Sequence, residues 1–226
     1  MTFSRHIPNT LTLGNLICGC IGILLVRQDL AYGAYLVWIA CIFDFLDGFA
    51  ARALKHASPI GKELDSLADM VSFGVLPSIV MFTAMEGVSS GDPINYSAFV
   101  IAACSALRLA KFNIDENQKD SFIGLPTPAS ALFITGLVFL GTPFTIITES
   151  HYGLLAISIG IALLMVSPLD LFALKFKNFT WADNKLRFTF VLLSVLLLGW
   201  KQAAGIPLAI LLYIVLSLGE GILSKR

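Results

Sequence analysis

Asp44–Asp69 reads D-F-L-D-G-F-A-A-R-A-L-K-H-A-S-P-I-G-K-E-L-D-S-L-A-D. Two of its aspartates, Asp44 and Asp47, close one apolar run, and two more, Asp65 and Asp69, open the next. A carboxylate inside a hydrophobic helix is costly to bury and needs a partner. On helices, the i, i+3 spacing of the first pair and the i, i+4 spacing of the second put each pair on one face. Antiparallel helices joined by a short loop can bring the pairs together. Four like charges at close range repel unless protons or cations neutralise them. Hard oxygen donors in this number predict a divalent metal site for Mg²⁺ or Mn²⁺, with two ions the economical count.

Outward from this stretch, the chain is strongly apolar. Of its 226 residues 57% are hydrophobic and 13% charged, about half the charge of a soluble domain. The apolar residues fall in eight runs, near 11–26, 31–52, 65–85, 96–111, 127–142, 152–171, 186–200 and 203–219. This predicts an all-α integral membrane protein with about eight transmembrane helices, forming a single membrane domain over 1–226. The formal net charge is zero, which argues against a broad nucleic-acid-binding surface. Cys18, Cys20, Cys41 and Cys104 all sit in apolar runs without a C-x-x-C pair, and read as buried free thiols. His6, His56 and His151 read as loop or interface residues. The start, M-T-F-S-R-H-I-P-N-T, enters the first run without a small-residue cleavage site and is not read as a cleavable signal peptide.

Lys and Arg set the orientation. With the N-terminus inside and eight spans, Arg5, Arg52, Lys55, Lys62, Arg108, Lys111, Lys119, Lys175, Lys177, Lys185, Arg187, Lys225 and Arg226 lie inside, and only Arg27 and Lys201 outside. The loops E-G-V-S-S-G-D-P-I-N and G-T-P-F-T-I-I-T-E-S-H carry neither Lys nor Arg. A multi-pass protein of the cell membrane follows, with both termini and the aspartates on the cytoplasmic side.

Gly14, Cys18 and Gly22 form a small-residue stripe suited to close helix packing. Around it, P-N-T-L-T-L-G-N places Asn9, Thr10 and Thr12 at a helix entrance, where caps are common. Asn15 lies a turn deeper in an apolar run and needs a partner or a ligand. The fourth run ends in R-L-A-K-F-N, with Arg108 and Lys111 at i, i+3 and Asn113 beyond. These cations either reach phospholipid headgroups or clamp an anion. Pro126 and Pro128 in G-L-P-T-P-A predict a stiff entry to the fifth run with exposed carbonyls nearby. L-K-F-K-N-F-T-W-A-D-N-K-L-R reads as a basic, aromatic membrane-surface anchor. The P-loop, H-E-x-x-H and G-x-S-x-G motifs are absent from the sequence.

The spacing D-x2-D-G-x2-A-R-x8-G-x3-D-x3-D, on Asp44, Asp47, Gly48, Ala51, Arg52, Gly61, Asp65 and Asp69, resembles the signature of the CDP-alcohol phosphotransferase family. Within it, P-N-T-L-T-L-G-N-L-I-C-G, R-L-A-K-F-N and G-L-P-T-P-A are similar to the membrane-embedded phosphatidylserine synthases, which transfer a phosphatidyl group from CDP-diacylglycerol to L-serine and release CMP. The resemblance implies a six-helix core plus two extra C-terminal helices at about 186–219, and a homodimer. It implies that Asp44, Asp47, Asp65 and Asp69 hold metal, and that Asp69 also takes the proton of the acceptor hydroxyl. Arg52 would touch the nucleotide or phosphate, with Gly48, Ala51 and Gly61 beside it and Asn9, Thr12 and Asn15 lining the nucleotide end. Arg108, Lys111, Asn113, Pro126 and Thr127 would form the acceptor site. Other acceptors, glycerol 3-phosphate or inositol, remain open within the family. An ion transporter also carries intramembrane aspartates, but these cluster at the cytoplasmic helix ends and not at mid-membrane. A structural scaffold gives no reason for four convergent carboxylates.

Overall fold

The computed structural model describes residues 6–55, 58–114, 121–173 and 180–223. The first helix, α1 (Ile7–Leu25), opens on Pro8, whose missing N–H is one that a helix start leaves unpaired. The second, α2 (Leu30–Ala53), is capped by Asp29, which accepts from the Ala31 N–H at 2.8 Å. Ser58 caps α3 (Pro59–Asp69) by accepting from the Gly61 N–H at 3.1 Å. The chain then runs through one π-helical turn, Met70–Val75, straight into α4 (Leu76–Val88). The third apolar run therefore starts at Pro59, six residues before the expected 65, because Ser58-Pro59 is a capping signal and not a hydropathy signal.

A 3₁₀ stretch, Pro93–Phe99, leads into α5 (Val100–Ile114). After β1 (Ser121–Ile123) come α6 (Thr127–Gly136), carried on to Phe139 by a 3₁₀ turn, and the single-turn α7 (Thr145–Thr148). Then follow α8 (His151–Val166), β2 (Asp170–Phe172), α9 (Trp181–Lys201) and α10 (Gly205–Leu223). All eight apolar runs fall on helices, and the chain is an all-α membrane protein. Among the described residues, five helical stretches are long and apolar enough to span a membrane: Ile7–Leu25, Leu30–Ala53, Pro59–Val88, Pro93–Ile114 and Asn184–Glu220. Thr127–Phe139 and His151–Val166 are shorter apolar helices. Asn184–Glu220 covers most of α9 and α10, which fold back on each other: Phe190 and Tyr213 meet at 5.8 Å between ring centroids.

Two runs end earlier than expected. The fifth stops at Phe139, before Gly141 and Pro143. The sixth stops at Val166, because Pro168 pushes Ser167 into extended backbone. Residues 170–172 instead form β2, paired antiparallel with β1 in the register Phe122↔Leu171. Gly124 completes this latch. Its φ is +73°, its N–H donates to Leu169 O at 2.8 Å, and a Cβ there would run into the Met165 carbonyl. The latch fixes where α6 begins. The C-terminal hairpin packs over it, through Tyr213 Oη donating to Phe172 O at 2.9 Å and Pro207 seated against Gly136.

The small-residue stripe on α1 is a packing seam. An added Cβ at Gly14 would lie 3.0 Å from the Phe43 ring, and one at Gly22 would run into Leu76. One buried cluster, including Val26, Val37, Phe73, Leu76 and Val80, joins α1, α2, the π turn and α4. A second, including Met81, Met85, Ile101, Phe133 and Met165, joins α4, α5, α6 and α8. Outward faces stay apolar: Ile17 and Leu24 on α1, Phe45 and Phe49 on α2, and Val195 and Trp200 on α9 are exposed, as lipid contact requires.

The four cysteines are free thiols, but only Cys18 is buried: Cys20 is exposed on the outer face of α1, and Cys41 and Cys104 are half-buried. His151 is an interface residue, 3.6 Å from Asp92 and 2.9 Å from Asn95, which in turn donates to Glu86. That network ties together the two loops devoid of Lys and Arg. His56, Lys119, Lys175 and Lys177 lie outside the described residues, as does most of the basic aromatic loop before Thr180.

Candidate active site

α1, the end of α2, α3, the end of α5 and the start of α6 meet at one end of the bundle. On α2, Asp44, Asp47 and Ala51 turn inward at i, i+3, i+7, while Phe45, Leu46 and Phe49 between them face outward. On α3, Asp65 and Asp69 share the inner face. One carboxylate oxygen each from Asp44, Asp47 and Asp65 lie within 4.8 Å of one another. Asp69, a turn deeper and 8% exposed, is not in that group of three but feels the charges of Asp44, Asp65 and Asp47.

Neutral donors hold two of the four. Thr12 Oγ1 donates to Asp47 Oδ2 at 2.6 Å, and Asn15 Nδ2 donates to Asp69 Oδ1 at 3.0 Å. Among the described residues no Lys or Arg nitrogen comes within 4.0 Å of these carboxylates. Asp65 Oδ1 and Asn15 Oδ1 are buried with no hydrogen-bond partner. Clustered carboxylates, with buried acceptors and no ammonium or guanidinium against them, are the donor set a hard divalent cation satisfies, so the residues fit such an ion.

A cavity of 220 Å³ adjoins two of the three carboxylates, Asp47 and Asp65. It is lined by Pro8, Asn9 and Thr12 from α1, Asp47, Gly48 and Ala51 from α2, and Ser58, Gly61, Lys62 and Asp65 from α3 and its cap. Gly61 is small for a reason: a Cβ there would lie 3.2 Å from Asn9 Oδ1 and 3.0 Å from Ser58 Oγ. Arg52 is exposed and reaches back over Gly48, 3.4 Å from where a Cβ would stand. Asn15 does not line the cavity; it is fully buried against Asp69. Pro8, Ser58 and Lys62 line it without having been singled out. In the sequence Ser58 had no assigned role, and Lys62 counted only as one more inner charge.

The expected acceptor residues separate into three groups. Arg108 and Lys111 line a second cavity, of 150 Å³, with Phe112, Ile123, Met165, Val166, Ser167 and Pro168. Arg108 is 7% exposed, so it does not snorkel. One of its terminal nitrogens donates to Thr127 Oγ1 at 3.2 Å, its Nε is buried without a partner, and its charge lies within range of Asp69. Asn113 sits elsewhere: it exchanges hydrogen bonds with Ser66, and its carbonyl accepts from Lys62 Nζ at 2.8 Å. Pro126 lies against a different, apolar cavity beside Phe172 and Tyr213. The carbonyls of Pro126 and Thr127 are not free-standing, because they accept from Ser130 N and Ser130 Oγ at the start of α6.

The model of the CDP-alcohol phosphatidyltransferase family matches residues 5–216, almost the whole chain. The chain belongs to that family. Among curated relatives, a Bacillus subtilis protein is 35% identical over 167 residues, covering 73% of this chain and 89% of its own length. A Methanocaldococcus jannaschii protein is 40% identical over 163 residues, 72% of each. A Helicobacter pylori protein is 30% identical over 214 residues, 92% of this chain and 87% of its own. All three bear the name CDP-diacylglycerol–serine O-phosphatidyltransferase. The family match spans every element that builds the carboxylate site and the three cavities.

Proposed function

We propose that this protein transfers the phosphatidyl group of CDP-diacylglycerol to L-serine, giving phosphatidylserine and CMP. The observation that carries it is the convergence of Asp44, Asp47 and Asp65 within 4.8 Å, beside a cavity lined by Gly48, Ala51 and Gly61 of the same signature. Mg²⁺ or Mn²⁺ held by these carboxylates and Asp69, as two ions, would neutralise the pyrophosphate and the charge that develops on it. Asn9, Thr12, Gly48, Ala51 and Gly61 would seat the nucleotide end of the lipid, with Arg52 and Lys62 facing its phosphates. The serine Oγ bonds to the phosphorus that carries diacylglycerol, the P–O bond to CMP breaks, and Asp69 takes the hydroxyl proton.

Serine as acceptor is supported by the names of the relatives and by Arg108, a buried cation without a carboxylate within 4.0 Å among the described residues. Its unpaired Nε offers a donor for the serine carboxylate, and its nearness to Asp69 brings acceptor and base together. A cytoplasmic site, with both termini on that side, is supported by Arg52, Lys55, Lys62, Arg108 and Lys111 all lying at the carboxylate end, while Arg27 marks the far end of α1. The protein would act as a homodimer, which light scattering in detergent tests.

The deciding experiment is CMP release by the purified protein from CDP-diacylglycerol with serine, glycerol 3-phosphate and inositol offered separately. Release with serine alone is expected. Release with glycerol 3-phosphate or inositol and none with serine would refute the acceptor and leave phosphatidyl transfer standing.

A further inference from the structure

We propose that Asn15 is a positioning residue for Asp69: it holds one carboxylate oxygen so that the other is presented to the reacting hydroxyl. The role depends on Asp69 being the base proposed above. Asn15 is 0% exposed and Asp69 8% exposed, and their 3.0 Å hydrogen bond joins groups 54 residues apart. The bond uses Asp69 Oδ1 and leaves Oδ2. Reversing the amide would set its oxygen against a carboxylate oxygen, so Asp69 fixes which way the side chain faces.

Asn15 is itself held. Ser72 Oγ, on the π turn that follows Asp69, donates to the Asn15 carbonyl at 2.8 Å. Four residues along α1, Gly19 lies so close to Ser72 that a Cβ would stand 2.5 Å from its Oγ and 3.0 Å from its Cα. Such π turns recur at functional sites, and this one meets α1 at Asn15 itself and one turn further on, at Gly19. Asn15 does not line the nucleotide cavity, so its direct contact is with the base. A neutral amide suits the task, since it orients a carboxylate without supplying the positive charge that would compete with a bound cation. Thr12, one turn earlier, treats Asp47 in the same way at 2.6 Å. α1 thus carries one neutral donor for a carboxylate on α2 and one for a carboxylate on α3.

The test is a double-mutant cycle on the full-length protein in detergent with Mn²⁺, read by CMP release with serine. Asn15→Leu fills the same space without a donor, and Asn15→Ser keeps the backbone bond from Ser72 but falls short of Asp69. Each is made alone and with Asp69→Asn. Alone, each should lower kcat about 10–100-fold, the range for lost support of a site ligand, with KM for CDP-diacylglycerol far less affected. Mn²⁺ binding, read by electron paramagnetic resonance without substrate, should fall by less than kcat does, because Asp44, Asp47 and Asp65 are untouched. With Asp69→Asn the same changes should cost less than about twofold more, since partners acting as one unit are not additive. Penalties that multiply in the Asp69→Asn background would show a general structural role and overturn the proposal, as would Asn15→Ser with normal kcat. Where Asn15→Leu does not fold, Asn15→Ser decides alone. Wild-type protein that releases no CMP with any acceptor would instead overturn phosphatidyl transfer itself, and that arm is read first.

Discussion

Gly19→Ala is a one-methyl change that the structure makes costly. The new Cβ would sit 2.5 Å from Ser72 Oγ, 3.0 Å from Ser72 Cα and 3.1 Å from Ser72 N. Two of those three atoms are backbone, so no rotamer change clears the clash. α1 and the π turn must part by several tenths of an ångström, against a contact that is itself fully buried. Overpacking of this kind costs about 1–3 kcal/mol. At about 2–4 °C per kcal/mol for a chain of this size, the unfolding midpoint should fall by several degrees. The larger effect is on turnover. Parting these helices stretches the 2.8 Å bond from Ser72 to Asn15 and, through it, the 3.0 Å bond to Asp69. Misplacing a catalytic group by ~1 Å can cost about 10²-fold, and a shift of less than half that should lower kcat by roughly tenfold. The assay is CMP release alongside a thermal-shift curve in the same detergent. The control is Gly160→Ala on α8, where a Cβ would meet no atom within 4 Å and which should stay within about 0.5 kcal/mol of wild type. Wild-type turnover and midpoint in Gly19→Ala, or equal damage in both variants, would refute the coupling between helix spacing and the base.

Other expectations follow from the same geometry. Chelation should abolish CMP release, and Mn²⁺ or Mg²⁺ should restore it; full activity after metal analysis shows the ions gone would remove the carboxylates from the chemistry. Asp69→Asn should cut kcat by at least the ~10²-fold of a lost general base, with metal content measured in parallel, and near-normal turnover would exclude Asp69 from that role. Arg108→Lys keeps the charge but loses the unpaired Nε and the planar fork, so KM for serine should rise about tenfold, for a charged hydrogen bond of ~1.5–3 kcal/mol partly retained; an equal rise for CDP-diacylglycerol would place Arg108 on the lipid instead.

Much of this was legible in the sequence because it is local. The i, i+3 and i, i+4 spacings of the aspartates put each pair on an inner helix face, as found. What the sequence hid is non-local or aperiodic. Asn15 was recognised as a polar residue in need of a partner, but the partner is 54 residues away, at the end of α3 just before a π turn that leaves no periodic signature. β1 and β2 are three residues each, too short to show alternation, and are named only by their pairing and by Gly124. R-L-A-K-F-N looked like one cationic patch. Folded, it divides: Arg108 turns inward to Thr127, Lys111 stays exposed, and Asn113 binds Ser66 and supports α3.

The division has a consequence for charge. Asp69 and Arg108 are both more than nine-tenths buried and within electrostatic range, yet they do not form an ion pair closer than 4.0 Å. Two opposite charges buried in one protein would gain most by closing on each other. Here each is held back by a neutral group: Asn15 fixes Asp69 from α1, and Thr127 fixes Arg108 from the start of α6. The latch of β1, Gly124 and β2 sets where Thr127 stands, and the seam of Gly19 on Ser72 sets where Asn15 stands. The two charges therefore stay apart because separately anchored elements keep them so; in the proposed reaction the acceptor would bring a negative group to Arg108 and a hydroxyl to Asp69. An α-amino acid with a hydroxyl side chain meets both conditions. An uncharged polyol such as inositol meets only the second and leaves the guanidinium buried without an anion. That is why the acceptor panel should separate serine from inositol more sharply than from glycerol 3-phosphate, which also carries an anion for Arg108 and, in Lys111, finds a second cation on the same cavity.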